Sequence, residues 1–166
     1  KAQMFEGLIG FIEKTLFGLI NKLTAEEKSV IRQVDGILSL LLGFARRNPG
    51  MTRVLIGDAL IHENDRLQTR INQLHDRLEA TLKQALRFAI NEREIAADLA
   101  VSAEANVLMS YVTRSWHKFD KRGFTRTPMN YWSVPFKQLF SRYAVLGCCQ
   151  TWDCRDKKTH YRSYEV

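Results

Sequence analysis

Residues 67–88 read LQTRINQLHDRLEATLKQALRF, and their spacing decides the fold. Leu67, Ile71, Leu74, Leu78, Leu82, Ala85 and Phe88 (or Ala89) recur at steps of three and four. Arg66, Arg70, Arg77 and Lys83 fall outside that stripe. Such a period marks an amphipathic helix with one face in a core. No glycine or proline interrupts residues 58–122, so this helix must end at a polar break. Asn91-Glu92-Arg93-Glu94 is the stretch that fits.

The same period runs upstream. Phe5, Leu8, Ile9, Ile12, Leu16, Ile20 and Leu23 make a first helix. Thr24-Ala25-Glu26-Glu27 has the spacing of a capping box, which predicts a second helix from near Ala25 through Val30, Val34, Ile37, Leu41 and Phe44. Asn48-Pro49-Gly50 stops it, because proline cannot continue the hydrogen-bond ladder. Met51–Leu60 reads as a short helix, and His62-Glu63-Asn64-Asp65 as a polar bend.

Downstream, residues 95–119 carry two stripes. Ala96, Leu99, Ala103 and Val107 lie on one side, and Val101, Leu108, Val112, Trp116 and Phe119 on roughly the other. A helix apolar on two sides is buried on two sides, here against the core and against a second subunit. A last, aromatic helix is expected from near Asn130, with Tyr131, Trp132, Phe136, Phe140 and Tyr143. The expected dimer is a two-fold four-helix bundle using Val101, Leu108, Val112, Trp116, Phe119, Phe136 and Phe140. After Gly147 the period fails. The reading is all-α with about six helices: residues 1–146 form one domain and 147–166 an irregular tail.

Composition agrees with this class. The 166 residues are 45% hydrophobic and 26% charged, which suits one folded domain rather than a disordered chain. The longest apolar run, Ile37–Ala45, is broken by Ser39 and Gly43 and falls far short of the ~20 residues that span a bilayer. Lys1-Ala2-Gln3 opens directly into the amphipathic pattern, so neither a secretory leader nor an initiator Met is read, and a fragment or processed form is expected. Cys148, Cys149 and Cys154 are an odd count crowded at one end, which is no disulfide framework and fits a reducing compartment. Lys+Arg 25 against Asp+Glu 18 leaves +7. That charge admits a nucleic acid, an anionic membrane or an acidic protein tail, and selects none of them.

Catalysis has little to stand on. His62-Glu63 lacks the zinc-protease spacing because position 66 is Arg66. His75 lies one step off the long stripe and reads as a surface or half-buried structural histidine. Cys148, Cys149, Cys154 and His160 match structural zinc spacing poorly. No phosphate loop, dinucleotide fingerprint or nucleophile elbow is present, so no enzyme, metal or cofactor is expected.

The first two helices suggest binding instead. Phe11 falls about 120° from the stripe of its helix on the 100° wheel, and Leu40 is off the line of its own. Gly43 sits mid-helix, where it costs ~1 kcal/mol relative to alanine, and Arg46, Arg47 and Asn48 follow. An off-face Phe, an off-face Leu, a glycine gap and a basic-amide cluster suit an extended acidic-apolar peptide. The plainer reading packs Phe11 and Leu40 on each other or on a further domain.

These residues also carry a family resemblance. Lys1, Met4 and Phe5, then Leu41-Leu42-Gly43-Phe44, Arg47-Asn48-Pro49-Gly50 with Thr52-Arg53, Asp65-Arg66-Leu67-Gln68 and Arg70-Ile71-Asn72-Gln73-Leu74 resemble the regulatory domain of TetR-type regulators, in its nucleoid-occlusion branch. Past residue 90 only Phe119, Arg122, Pro128 and Trp132 align, and residues 147–166 do not. The resemblance implies a homodimeric, all-helical bacterial protein, cytoplasmic and nucleoid-associated. Members of the branch bind palindromic chromosomal sites and engage the C-terminal tail of the division protein FtsZ. Their tail groove falls here on Phe11, Leu40, Gly43, Arg47 and Asn48, while a basic position of that groove falls on Leu19. DNA is read in this family through a helix-turn-helix of ~45 residues, which would lie upstream of Lys1. The alternative function is a repressor answering to a small molecule held inside the helical bundle.

Overall fold

The computed structural model describes residues 2–57 and 65–125, with Pro128, Trp132, Val134, Phe136 and Lys137 beyond them. Five α-helices follow one another: α1 Ala2–Glu26, α2 Val30–Arg47, α3 Pro49–Leu55, α4 Asp65–Asn91 and α5 Val101–Lys121. No β-strand occurs among the described residues. The expected aromatic helix near 130–146 and the tail after 147 fall largely or wholly outside them.

Helix α4 is the centre, packing against α1, α2 and α5. Its buried stripe is Leu67, Ile71, Leu74, Leu78, Leu82, Leu86 and Ala89. The sequence stripe ended on Ala85 and then Phe88 or Ala89, of which Ala89 is the buried one. Ala85 is only partly buried and Phe88 stands 53% exposed, because the true helical period drifts to Leu86 and Ala89 in the last turns. Ile9, Ile12, Leu16, Ile20 and Leu23 of α1, with Val34, Ile37, Leu38 and Leu41 of α2, close the same core. Each such side chain contributes roughly 1.5–3 kcal/mol on burial.

Polar contacts fix how α1 lies on α4. Arg66 reaches Glu6 at 3.4 Å, and Glu13 takes both Arg70 at 3.2 Å and Arg77 at 3.0 Å. The Arg77 guanidinium also stacks over Phe17, 4.4 Å from its ring centre. These contacts run in step along the two chains, so α1 and α4 are parallel.

The α1–α2 turn corrects the capping-box reading. Helix α1 continues to Glu26, and α2 begins at Val30 rather than near Ala25. Thr24 gives its hydroxyl back to the Asn21 carbonyl at 3.0 Å, so it does not cap the following helix. Gln33 closes the end of α1 instead, its Nε2 donating to the carbonyls of Glu27 at 2.7 Å and Thr24 at 3.3 Å. The cap of α2 comes from far away. Glu94 accepts the amides of Val30 at 3.0 Å and Ile31 at 2.9 Å and the hydroxyl of Ser29 at 3.1 Å. A carboxylate at a helix N-terminus satisfies orphan amides and meets the positive end of the dipole. Arg93, in the left-handed region at φ 59°, makes the sharp turn that delivers Glu94.

Helix α3 is shorter than the expected Met51–Leu60. It begins at Pro49, in the first turn where the missing amide costs nothing, and ends at Leu55. Thr52 is fully buried and gives its hydroxyl to the Ala45 and Asn48 carbonyls, both at 3.0 Å, tying α3 to the end of α2. The polar break after α4 holds at residues 92–94, but residues 95–100 are not helical, so α5 starts only at Val101.

Candidate functional site

Register places the peptide-binding candidates. An added methyl at Gly36 would collide with the Leu23 side chain, which marks a close approach of antiparallel α1 and α2. Twelve residues back along α1 from Leu23 is Phe11, and twelve forward along α2 from Gly36 is Asn48. Phe11 therefore falls level, along the helix axes, with the turn holding Arg47 and Asn48. The same count sets Leu19 opposite Leu40.

Phe11 is 55% exposed. Leu40 and Gly43 are half-buried, and Leu40 leans on the core edge. Leu40, Gly43 and Arg47 follow one another at helical spacing and share a face of α2. Arg46 and Arg47 are exposed in its last turn, at the negative end of the helix dipole. Asn48 is partly committed to the fold: its backbone amide and Nδ2 both donate to the Phe44 carbonyl, at 3.0 and 3.1 Å.

Sequence reasoning passed over Met4. It is 65% exposed and lies two turns before Phe11 on the same face of α1. The spacing of seven was the available signal.

The dimer set needs correcting. Leu108, Val112, Trp116 and Phe119 are at most 3% exposed within a single chain, and Phe136 is 1% exposed. The Trp116 Nε1 donates to the Leu41 carbonyl at 3.2 Å, and Trp132, stacked on Phe136 and Tyr111, donates to Asp35 at 2.8 Å. Leu108, Val112, Trp116 and Phe136 are spent on the protomer's own core, and Phe119 packs edge-on against Phe124. Val101 is partly buried against that core, and Phe140 lies outside the described residues. In the other stripe Leu99 is buried before the helix begins, whereas Ala103 is exposed and Val107 is 53% exposed, flanked by exposed Asn106, Ser110 and Arg114. Periodicity found both stripes, but nothing in it said which one met α2 and α4. Val112→Glu would bury a charge inside one chain, and so would report on folding rather than on dimerisation.

A cleft of about 510 Å³ opens between α4 and α5, lined by His75, Glu79, Asn106, Met109, Ser110, Thr113, Arg114 and His117. The His75 ring lies 5.8 Å from that of Trp116, and its Nε2 is buried without a hydrogen-bond partner. Burial pulls its pKa below the usual 6.5, against a hydrogen bond with the Leu55 backbone and the charge of Asp76, while His117 adds to the lowering. The unfolded chain therefore takes up a proton at higher pH than the native one. This contribution to stability is present above pH 6.5 and is lost as pH falls through the lowered native value. Thermal melts between pH 7.5 and 5 should show a decline that His75→Gln flattens. An equal decline in the variant would remove His75 as its source.

Among the described residues, no group of three or more His, Cys, Asp or Glu is placed to hold a metal ion. No helix there is long and apolar enough to cross a membrane.

The family description "Tetracyclin repressor-like, C-terminal domain", of SlmA-like type, matches residues 28–143. A nucleoid occlusion factor SlmA of Alteromonas mediterranea is 47% identical over 147 residues, covering 84% of this chain and 73% of that protein. Those of Idiomarina loihiensis (85% and 74% covered) and Vibrio cholerae (84% and 73%) are 45% and 40% identical over the same length. Among solved structures, the transcriptional regulator FadR from Bacillus subtilis, in complex with stearoyl-CoA, superposes with a TM-score of 0.66. It is 14% identical, with 81% of this chain and 73% of that one covered, so it shows the fold alone.

Proposed function

The chain belongs to the SlmA-like family of tetracyclin repressor-like C-terminal domains, and from that premise we propose that it is the partner-binding and dimerising part of a nucleoid occlusion factor. In this reading the protein sits on the nucleoid as a homodimer and restrains assembly of the division ring. DNA is held by a helix-turn-helix outside these residues. The chain itself engages the acidic-apolar C-terminal tail of FtsZ and carries out no catalysis.

The observation that carries this reading is Phe11. A phenylalanine 55% exposed on a helix whose inner row, Ile9 to Leu23, is buried is a ready anchor. By register it falls level with the end of α2, where two exposed arginines follow Gly43. An extended segment can set its apolar side chains on Phe11 and Leu40, bring its backbone near Gly43 and place a carboxylate on Arg47. The outward stripe of Ala103 and Val107 is the surface proposed to meet the second subunit.

Titration of a labelled tail peptide against the chain tests the site. Wild type should bind weakly, since a flexible tail loses entropy on ordering. Phe11→Ala and Arg47→Glu should each lower affinity at least ~tenfold, the loss of a central anchor or a reversed charge. Both positions are exposed, so the melting temperature should barely move. Unchanged affinity in both variants would return Phe11 to an incidental exposed residue.

A further inference from the structure

The seam between α1 and α2 does not stop at Leu40. One turn beyond Leu19 on the same side of α1 stands Lys22, exposed and without an ion pair among the described residues; Glu26, a turn further, is not bridged to it. The other acids of α1, Glu6 and Glu13, face α4 and are held there by its arginines. Gly18 lies between Phe11 and Lys22 on the outer edge of the seam. Among the described residues a side chain there would meet nothing within 4 Å, so none of them accounts for a glycine that costs ~1 kcal/mol in a helix.

The seam is thus positive at both ends and apolar between them. Arg47 and Phe11 stand at one end, Leu19 and Leu40 in the middle, and Lys22 at the other. From Phe11 to Lys22 is eleven residues of helix, roughly 16 Å at 1.5 Å per residue. An extended chain advances about 3.3 Å per residue, so about five residues cover that length.

We propose that Lys22 is the far-end charge contact of this seam, so that the seam selects an extended segment with acidic residues at both ends of an apolar stretch of about five residues. The inference rests on the reading of the seam as a peptide site and adds its length and charge pattern. Bare glycine at position 18 lets the backbone of such a segment pass close to α1.

The test uses the full chain and three fluorescein-labelled synthetic peptides. One has an aspartate at each end of a five-residue apolar stretch, and the others have one or the other aspartate changed to asparagine. Lys22→Glu should weaken the doubly acidic peptide about fivefold at low salt, the effect of a reversed rim charge, with the difference shrinking as salt rises. It should leave one of the two asparagine peptides unaffected, and Arg47→Glu should spare the other. Gly18→Gln, whose side chain has open space in the free chain, should weaken all three peptides while the melting temperature holds or rises.

If Phe11→Ala and Arg47→Glu abolish binding but Lys22→Glu changes nothing, the far-end contact is overturned and the peptide site stands. If Lys22→Glu and Arg47→Glu couple to the same aspartate, the two-ended pattern is overturned. If Phe11→Ala also binds normally, both the site and its far end fall together.

Discussion

Trp116→Ala is expected to cost about 3–5 kcal/mol, the usual toll for emptying a large buried aromatic site. That is a large share of the roughly 5–15 kcal/mol by which a domain of this kind is stable. Trp116 is fully buried, packs beside His75 and gives its Nε1 hydrogen to the Leu41 carbonyl in the middle of α2. The side chain thus joins α2, α4 and α5. Trp116→Phe separates the two contributions. It keeps most of the volume and loses the hydrogen bond, which should cost only about 1–2 kcal/mol because the Leu41 carbonyl also accepts its own helix amide. Denaturant midpoints of the three proteins decide the matter. A loss below 1 kcal/mol for alanine would mean that the site collapses without a cavity.

The second large effect belongs to Glu94. Glu94→Ala removes three acceptor contacts from the start of α2 and is expected to cost about 2–3 kcal/mol, more than an ordinary cap because the acceptor is charged. Glu94→Gln should lie between, since one amide oxygen cannot replace two carboxylate oxygens. Ser29→Ala should cost less than 1 kcal/mol, because its hydroxyl is only one of the donors that Glu94 serves. Equal melting temperatures for Glu94→Ala and wild type would show that water caps α2 as well as Glu94 does.

The two residues also mark what could be read from the sequence. Trp116 was placed on an apolar stripe by spacing alone, since a 3.6 period needs no knowledge of the partner. Its assignment to a subunit interface failed because two stripes of similar apolarity give no indication of which faces inward. Glu94 was recognised only as part of a polar break. Its work is done 64 residues away on Val30, and a long-range cap leaves no local pattern. The near capping box of Thr24 and Glu27 was the signal that sequence offered, and tertiary structure overrode it. Phe11, by contrast, was legible for the reason that makes it interesting: a residue off its own stripe has no place in its own core. Met4 shares that face and was not singled out, because its exposure depends on where α1 meets its neighbours.

Helix α1 carries one more consequence. Gly7, Gly10 and Gly18 lie along it with nothing near enough to fill their places, and each lowers helix propensity by ~1 kcal/mol relative to alanine. An isolated peptide of this sequence would scarcely be helical, so α1 keeps its shape through the buried row from Ile9 to Leu23. That row begins only in the third turn. Upstream of it Phe5 and Leu8 lie only partly buried against the core, so in native-state hydrogen exchange the amides around Leu16 should be the slower to open. The helix is therefore held by what it packs on rather than by its own sequence, and a change in the core beneath it would reach its shape as well as its position.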